Sequence, residues 1–224
     1  MPATPDSTVH VTSYPRQTKR ALQGHRLFAF AWDWLVRREG KASREMRAKL
    51  LGAVRGRVLE IGCGTGANFP YYSPDAQVVA TEPDPYMLRR AERRLAQLGL
   101  ANVESRQAPG EDLPFDDGSF DHVVCSWVLC HVGDAPGALA EVRRLLKPDG
   151  SFRFMEHVRS ESRVWSRAQD IVDPVWSRLL DAGCHVNRRT QHAIEEAGFR
   201  MEWVERAHLS PPTTPGIYGV ARPR

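Results

Sequence analysis

Two carboxylates and three glycines in the first half of the chain have the types and spacing that hold a nucleotide-like ligand. Glu60 precedes Gly62, Gly64 and Gly66, and Glu82 closes the next apolar run. Glycines so placed let the backbone turn sharply and expose amides that a Cβ would block. The spacing is Gly-x-Gly-x-Gly, not the Gly-x-Gly-x-x-Gly of a dinucleotide fold. The Glu60 carboxylate would repel a pyrophosphate and attract a cationic ligand. This points to S-adenosylmethionine, with Glu60 ordering the loop near the methionine amino group. Glu82 lies near the offset, roughly 20 residues on, of the acid that accepts both ribose hydroxyls in nucleotide folds.

A second set of residues, farther along, has the chemistry to handle an acceptor. His131 follows an apolar run, Glu156 and His157 end another, and Cys184, His185 and Arg188 fall on one short stretch. Methyl transfer from a sulfonium is an in-line displacement, and alignment of the nucleophile supplies much of its acceleration. A thiol, with an ordinary pKa of about 8.5, needs little help to become a thiolate. An alcohol needs a positioned base far more. His131 and His157 are the candidate bases and acceptor contacts, with Glu156 polarising either one. The competing readings are a loop-packing His131 and a Glu156-His157 pair that ties strand to helix. Arg188 would grip an acceptor carboxylate or a neighbouring loop. Cys63, Cys125, Cys130 and Cys184 show no paired spacing of a zinc motif, and too few ligands gather around His185. Reduced, buried thiols and no metal are expected.

These residues need elements to position them, and hydrophobic periodicity supplies the outline. The chain has 224 residues, 42% hydrophobic and 26% charged, enough for one well-cored domain. Residues 1–14 read as a mobile polar tail and 15–224 as a single domain. Within it, residues 15–55 form a helical cap in which Leu27, Phe28, Phe30, Ala31, Trp34 and Leu35 make one apolar face. Trp32 of that cap would face the ligand. Strands follow at 57–61, 77–82, 102–106, 121–126, 151–157, 201–205 and 217–221. A helix opens at Asp84-Pro85 and stops at Gly99, another spans 135–146, and Lys147 to Gly150 form a turn. Residues 158–190 are a helical insertion interrupted by Pro174. Alternating strands and helices imply an α/β fold with a mostly parallel sheet.

The net charge of +4 is concentrated in the basic residues before the glycine motif. A patch of that kind attracts nucleic acid or an anionic membrane, but no aromatic-basic motif accompanies it, and no nucleic-acid partner is expected. No stretch reaches the ~18 apolar residues of a transmembrane helix, and a cytoplasmic location is expected.

The runs Val58 to Gly66, Leu113-Pro-Phe115, Ser119-Phe-Asp121 and Leu145 to Gly150 resemble the class I S-adenosylmethionine-dependent methyltransferases of the ubiquinone-biosynthesis-like branch. Gly66 to Phe69, Val128-Leu-Cys130, Phe154 to Val158, Asp173-Pro-x-Trp176 and Gly183-Cys184 are similar to the alkyl thiol methyltransferases. The resemblance implies a Rossmann-like, doubly wound seven-stranded sheet with an antiparallel last strand. It implies that Glu60, Gly62, Gly64 and Gly66 hold the methionine end and Glu82 the ribose, with Cys63, Asn68, Pro83 and Met87 as further cofactor-binding positions. Gly110, Glu111 and Asp112 would face the adenine, and Ser126 and Trp127 the transferred methyl. Pro109 stands where many relatives carry an aspartate for the adenine amino group, so that contact is either missing or supplied by Glu111 or Asp112. The implied activity is methyl transfer to a small-molecule thiol, with a phenolic or hydroxyl oxygen as the alternative. An RNA methyltransferase and a non-catalytic binding module are the remaining readings. The second fits poorly with an intact set of Glu60, glycines and Glu82.

Overall fold

The computed structural model describes residues 16–179, 184–208 and 215–224; the tail expected over 1–14 lies outside them. The described residues open with α1 (Arg16–Gln23), α2 (Arg26–Arg37) and α3 (Lys41–Leu51). Then come β1 (Gly56–Ile61), β2 (Ala76–Thr81), α4 (Pro85–Leu98), β3 (Val103–Arg106) and β4 (Phe120–Ser126). They are followed by α5 (Ala135–Leu145), β5 (Leu146–His157), α6 (Arg163–Leu179), α7 (Thr190–Glu196), β6 (Phe199–His208) and β7 (Pro215–Pro223).

The seven strands form one sheet in the order β3-β2-β1-β4-β5-β7-β6. The pairings of β1, β2, β3, β4 and β5 are parallel, and β7 runs antiparallel to both β5 and β6. The order reverses between β2-β1 and β4, the switch point where open α/β sheets bind ligands at the carboxyl ends of their strands.

Helices cover both faces, so the central strands are buried on both sides. Along β1, alternate residues serve opposite cores. Leu59 and Ile61 pack with Val123, Phe152, Phe154 and α5. Val58 joins Val78, Val124 and Leu50 of α3. Glu60 shares the Val58 face, which turns its carboxylate toward α3 rather than into the α5 core. Local signals fix the flanking helices. Asp84 caps α4 by accepting from the amides of Tyr86 and Met87, Pro85 opens it, and Gly99 ends it at φ +65°.

Five sequence expectations change in detail. The strands expected at 201–205 and 217–221 are longer, because β6 and β7 form a nine-position antiparallel ribbon at the sheet edge. The turn Lys147–Gly150 loops out within β5: Phe120 pairs with Leu146, and His122 then pairs with Ser151. The apolar face expected for α2 is largely exposed, since its buried residues are Ala29 and Asp33. Asp33 accepts from Arg37 and from Arg90 of α4, so a polar tie holds α2 in place. α3 packs against the sheet through Met46, Leu50 and Leu51 and belongs to its helical layer, not to a cap. Pro174 lies inside a continuous α6; of the apolar positions expected to follow it, Leu180 lies outside the described residues.

Several basic residues before the glycine motif have intramolecular partners: Arg47 with Glu39, Lys49 with Glu205, and Arg55 with Asp75.

Candidate active site

At the switch point a cavity of about 550 Å³ opens beneath α1 and α2. Its floor is the β1 end and the glycine turn. Gly62, Gly64 and Gly66 have φ of +66°, +58° and +81°, in the left-handed region that an L side chain rarely adopts. A Cβ at Gly62 would stand 2.6 Å from Val128 Cγ2, and one at Gly64 would extend toward Trp32 Nε1 at 3.6 Å, narrowing the cavity. Gly66 packs against the Phe69 ring.

Below this turn lies a closed polar network. Glu60, 1% exposed, accepts from Asn68 Nδ2 at 2.8 Å and from Tyr72 Oη at 3.0 Å. Asn68 Nδ2 also donates to Ser126 Oγ at 3.0 Å, and Asn68 Oδ1 accepts from Arg47. Burial pushes the Glu60 carboxyl up to about 7, opposed by the bonds from Asn68 and Tyr72 and by the Arg47 charge. At the β2 end, Glu82 accepts from the Gly64 amide at 2.8 Å and from the Asp84 amide at 3.0 Å. Burial raises it to about 7 as well, against the lowering effect of those two amides. The acid therefore locks the glycine turn to the second strand while facing the cavity.

Another part of the cavity wall is the loop after β4, where an acceptor was expected. Trp127, at φ +62°, is the one non-glycine residue among those described with positive φ, a strained conformation held by its surroundings. Its amide donates to Met155 O at 2.7 Å, and its ring lies 4.4 Å from the His157 ring. Glu156, fully buried, accepts from the successive amides of Val128, Leu129 and Cys130 at 2.9, 3.0 and 3.2 Å. From the opposite side Arg188 donates to the carbonyls of Leu129 and Val132. The loop is thus clamped between an acid and a base, and it presents His131 to the cavity, edge-on to Trp32 at 6.5 Å. Burial lowers the His131 pKa, with the His157 and Arg188 charges adding to the effect, so the imidazole is neutral at pH 7. His185 also lines the cavity, its Nδ1 2.8 Å from Asp173 Oδ2 of α6.

The structure brings most of the expected cofactor residues together. Glu60, Gly62, Cys63, Gly64, Asn68, Glu82, Pro83, Met87, Gly110, Glu111, Ser126 and Trp127 all line the cavity, as do Trp32, His131 and His185. Gly66 shapes the turn from behind. Asp112 is exposed outside the lining, whereas Glu111 faces inward and accepts from Thr18 Oγ1 at 2.9 Å.

On the acceptor side, three expectations shift. Both Glu156 oxygens engage backbone amides, which places this acid as a loop anchor and not as a partner of a histidine ring. His157 lies behind Trp127, outside the lining, because that ring covers it. Of the two alternatives for Arg188, the structure gives the neighbouring loop. Cys184 is buried beside Cys130 and Val186, outside the lining. Thr18, His25, Phe28 and Arg47 line the cavity without having been singled out in the sequence. For Arg47 a signal existed: it shares the 3–4 spacing of Leu50 and Leu51 on the buried face of α3.

The cavity fits S-adenosylmethionine in size and in chemistry: it lies in the few-hundred-Å³ range of small-molecule sites, with carboxylates at two strand ends and a glycine cradle between them. Residues 59–154 match the family model described as a methyltransferase domain. The human thiol S-methyltransferase TMT1A is 39% identical over 176 residues, 73% of this chain and 69% of that one. The human thiol S-methyltransferase TMT1B is 36% identical over 180 residues, 74% and 73% of the two chains. The solved structure of the YcgJ protein from Bacillus subtilis superposes with a TM-score of 0.64 at 19% identity, covering 89% of this chain and 99% of that one, a likeness of fold. With the switch-point cavity, the glycine cradle and these relatives in agreement, the chain belongs to the class I S-adenosylmethionine-dependent methyltransferases.

Proposed function

We propose that the protein transfers the methyl group of S-adenosylmethionine to the sulfur of a small, largely apolar thiol. The observation that carries this reading is the makeup of the acceptor wall. Phe28, Trp32, Val36 and Val132 line the cavity together with His131, whose ring meets Trp32 edge-on. Such a base suffices for a thiol, whose proton leaves near pH 8.5, whereas an alcohol needs a positioned base far more. The kinship with the thiol S-methyltransferases TMT1A and TMT1B points the same way.

When bound, S-adenosylmethionine supplies an electrophilic methyl on a sulfonium. The protein does the rest by placement. Glu82 accepts the ribose hydroxyls, the network of Glu60, Asn68 and Ser126 orders the methionine end, and the Gly110–Glu111 segment meets the adenine. The glycine turn and Met87 flank these contacts, with Cys63 a small spacer between two glycines. Trp32 and Trp127 bound the transfer face and exclude water. His131 would take the thiol proton and leave a thiolate aligned for the methyl that the bound cofactor would supply, and His185, held by Asp173, lines the same mouth.

An assay with labelled methyl donor across alkyl thiols, phenols and amines tests the proposal. Labelled thioether from thiols is the expected product. Label confined to phenols or alcohols would move the acceptor to oxygen, and label confined to amines would end the thiol reading.

A further inference from the structure

Behind the acceptor wall, three potential metal donors converge from three distant segments. They are Cys130 from the loop after β4, His157 at the end of β5 and Cys184 from the stretch before α7. Their donor atoms all lie within 4.8 Å of one another, and each sulfur is 3.8 Å from His157 Nδ1. A tetrahedral zinc ion with bonds of about 2.0–2.3 Å requires donor–donor separations of roughly 3.5–3.8 Å. The two sulfur–nitrogen edges are therefore already near that spacing.

We propose that Cys130, His157 and Cys184 bind a thiophilic divalent metal ion of the zinc class. Two soft sulfurs and an imidazole select such an ion over magnesium or calcium, which take oxygen ligands. On binding, each thiol loses its proton to solvent and His157 coordinates through neutral Nδ1. Two thiolates balance the charge of the ion, and the Glu156 carboxylate and the Arg188 guanidinium, which grip the loop after β4 from opposite sides, offset each other. Three protein donors leave a fourth tetrahedral position. His131 Nδ1 lies 3.1 Å from Cys130 Sγ.

The scaffold around the donors is already fixed. Glu156 holds the Cys130 amide, and the His185 amide donates to Cys130 O at 2.8 Å, joining the two cysteine segments directly. Asp173 accepts from the Val186 amide at 2.8 Å, and Gln169 donates to Val186 O at the same distance. Trp127 lies against the His157 ring and shields it from the cavity. Second contacts of this kind orient the ligands of metal sites. The ion would staple β4, β5 and the segment after α6 behind the acceptor wall. Cys63 and Cys125 are buried elsewhere, in the two cores on either side of the sheet, and serve as internal controls.

The test reads metal binding and not turnover, so it is separate from the identity of the methyl acceptor. Full-length protein is stripped with chelator, kept reduced and titrated with Co2+ under anaerobic conditions. The expected result is one ion per chain, with thiolate-to-cobalt charge-transfer absorption and intense tetrahedral ligand-field bands that Zn2+ displaces. Cys130→Ser and Cys184→Ser should abolish the two-thiolate spectrum, and Cys125→Ala should retain it. Unsubstituted protein that gives no charge-transfer absorption overturns the proposal, whether or not the serine variants fold. So does a spectrum unchanged in both serine variants. A Cys130–Cys184 disulfide found by peptide mapping of protein kept anaerobic and reduced from lysis onward would overturn it as well.

Discussion

The two sides of the cavity are built on different plans. The cofactor side is made by the ends of two adjacent strands and the turn between them, where Glu60 and Glu82 are both buried and bonded within 22 residues of sequence. The acceptor side is assembled by long-range ties. Glu156 reaches the loop after β4 across 26–28 residues, and Arg188 reaches it across 56 and 59. One side is rigid because the sheet itself supplies its frame. The other is held by two ionic side chains gripping opposite edges of one loop. Changes on the first side should therefore strike stability and cofactor affinity, while changes on the second leave cofactor affinity largely intact and alter acceptor handling.

The strongest test of the rigid side is Arg47→Met. Arg47 is 3% exposed, bridges to Glu39 at 3.0 Å and donates to Asn68 Oδ1. Removing one partner from a buried charge network leaves the others without compensation and costs about 3–5 kcal/mol. Urea unfolding followed by tryptophan fluorescence should show that loss. A change under about 1 kcal/mol would mean that the network beneath the glycine turn carries little of the fold, and the contrast between the sides would weaken.

Next in size is Glu82→Ala. Losing hydrogen bonds to two ribose hydroxyls should weaken S-adenosylmethionine binding by about 1–3 kcal/mol. Calorimetry gives the value directly, and an unchanged affinity would place the ribose elsewhere. By the same contrast, Arg188→Met should leave this affinity within about threefold, or roughly 0.6 kcal/mol, while raising the acceptor KM.

The cofactor side should also respond to pH, and the sign differs between folding and binding. Glu60 and Glu82 have folded values near 7 against an ordinary 4.5, so the native state binds more protons than the unfolded chain between those values. Their contribution to stability is complete below 4.5 and is lost as pH rises through 7. Binding runs the other way. A cationic ligand with ribose hydroxyls favours both ionised carboxylates, so affinity should rise with pH. For one carboxylate titrating near 7, the gain from pH 6 to pH 8 is about tenfold. Calorimetry across that range checks it, and Glu82→Gln should flatten part of the slope. A pH-independent affinity would show that neither acid changes its charge on binding.

These differences explain what could be read from the chain. The parallel strands, the α4 cap and the glycine cradle were legible because each is encoded in a contiguous run such as Val58 to Gly66 or Asp84 to Gly99. The antiparallel last strand, β7, followed from the resemblance that those runs carry, whereas the order of the strands came only with the structure. The acceptor side was only partly legible. His131 could be placed near the ligand from its position after β4. The covering of the His157 ring by Trp127 depends on a left-handed tryptophan that no pattern announces. Glu156 and Arg188 looked like chemistry because they are charged, yet the unpaired amides and carbonyls of a buried loop require partners of that kind. The convergence of Cys130, His157 and Cys184 was invisible for the same reason: no spacing within one segment encodes it.

The smallest expected effect separates two neighbouring aromatic residues on α2. Phe30 is 61% exposed, with the Arg90 guanidinium 5.4 Å from its ring centroid, whereas Trp32 turns its indole toward Gly64 and His131. Phe30→Ser removes a surface ring and one exposed cation–π contact, which should alter stability by no more than about 0.5 kcal/mol. Trp32→Ala removes a wall of the cavity and should raise the acceptor KM with a larger effect on bulkier thiols. Both changes are two residues apart on one helix, so helix propensity and net charge are nearly matched between them. If Phe30→Ser alters acceptor selectivity as much as Trp32→Ala does, the acceptor reaches the outer face of α2. The boundary between the rigid and the clamped side would then lie outside the cavity described by its lining.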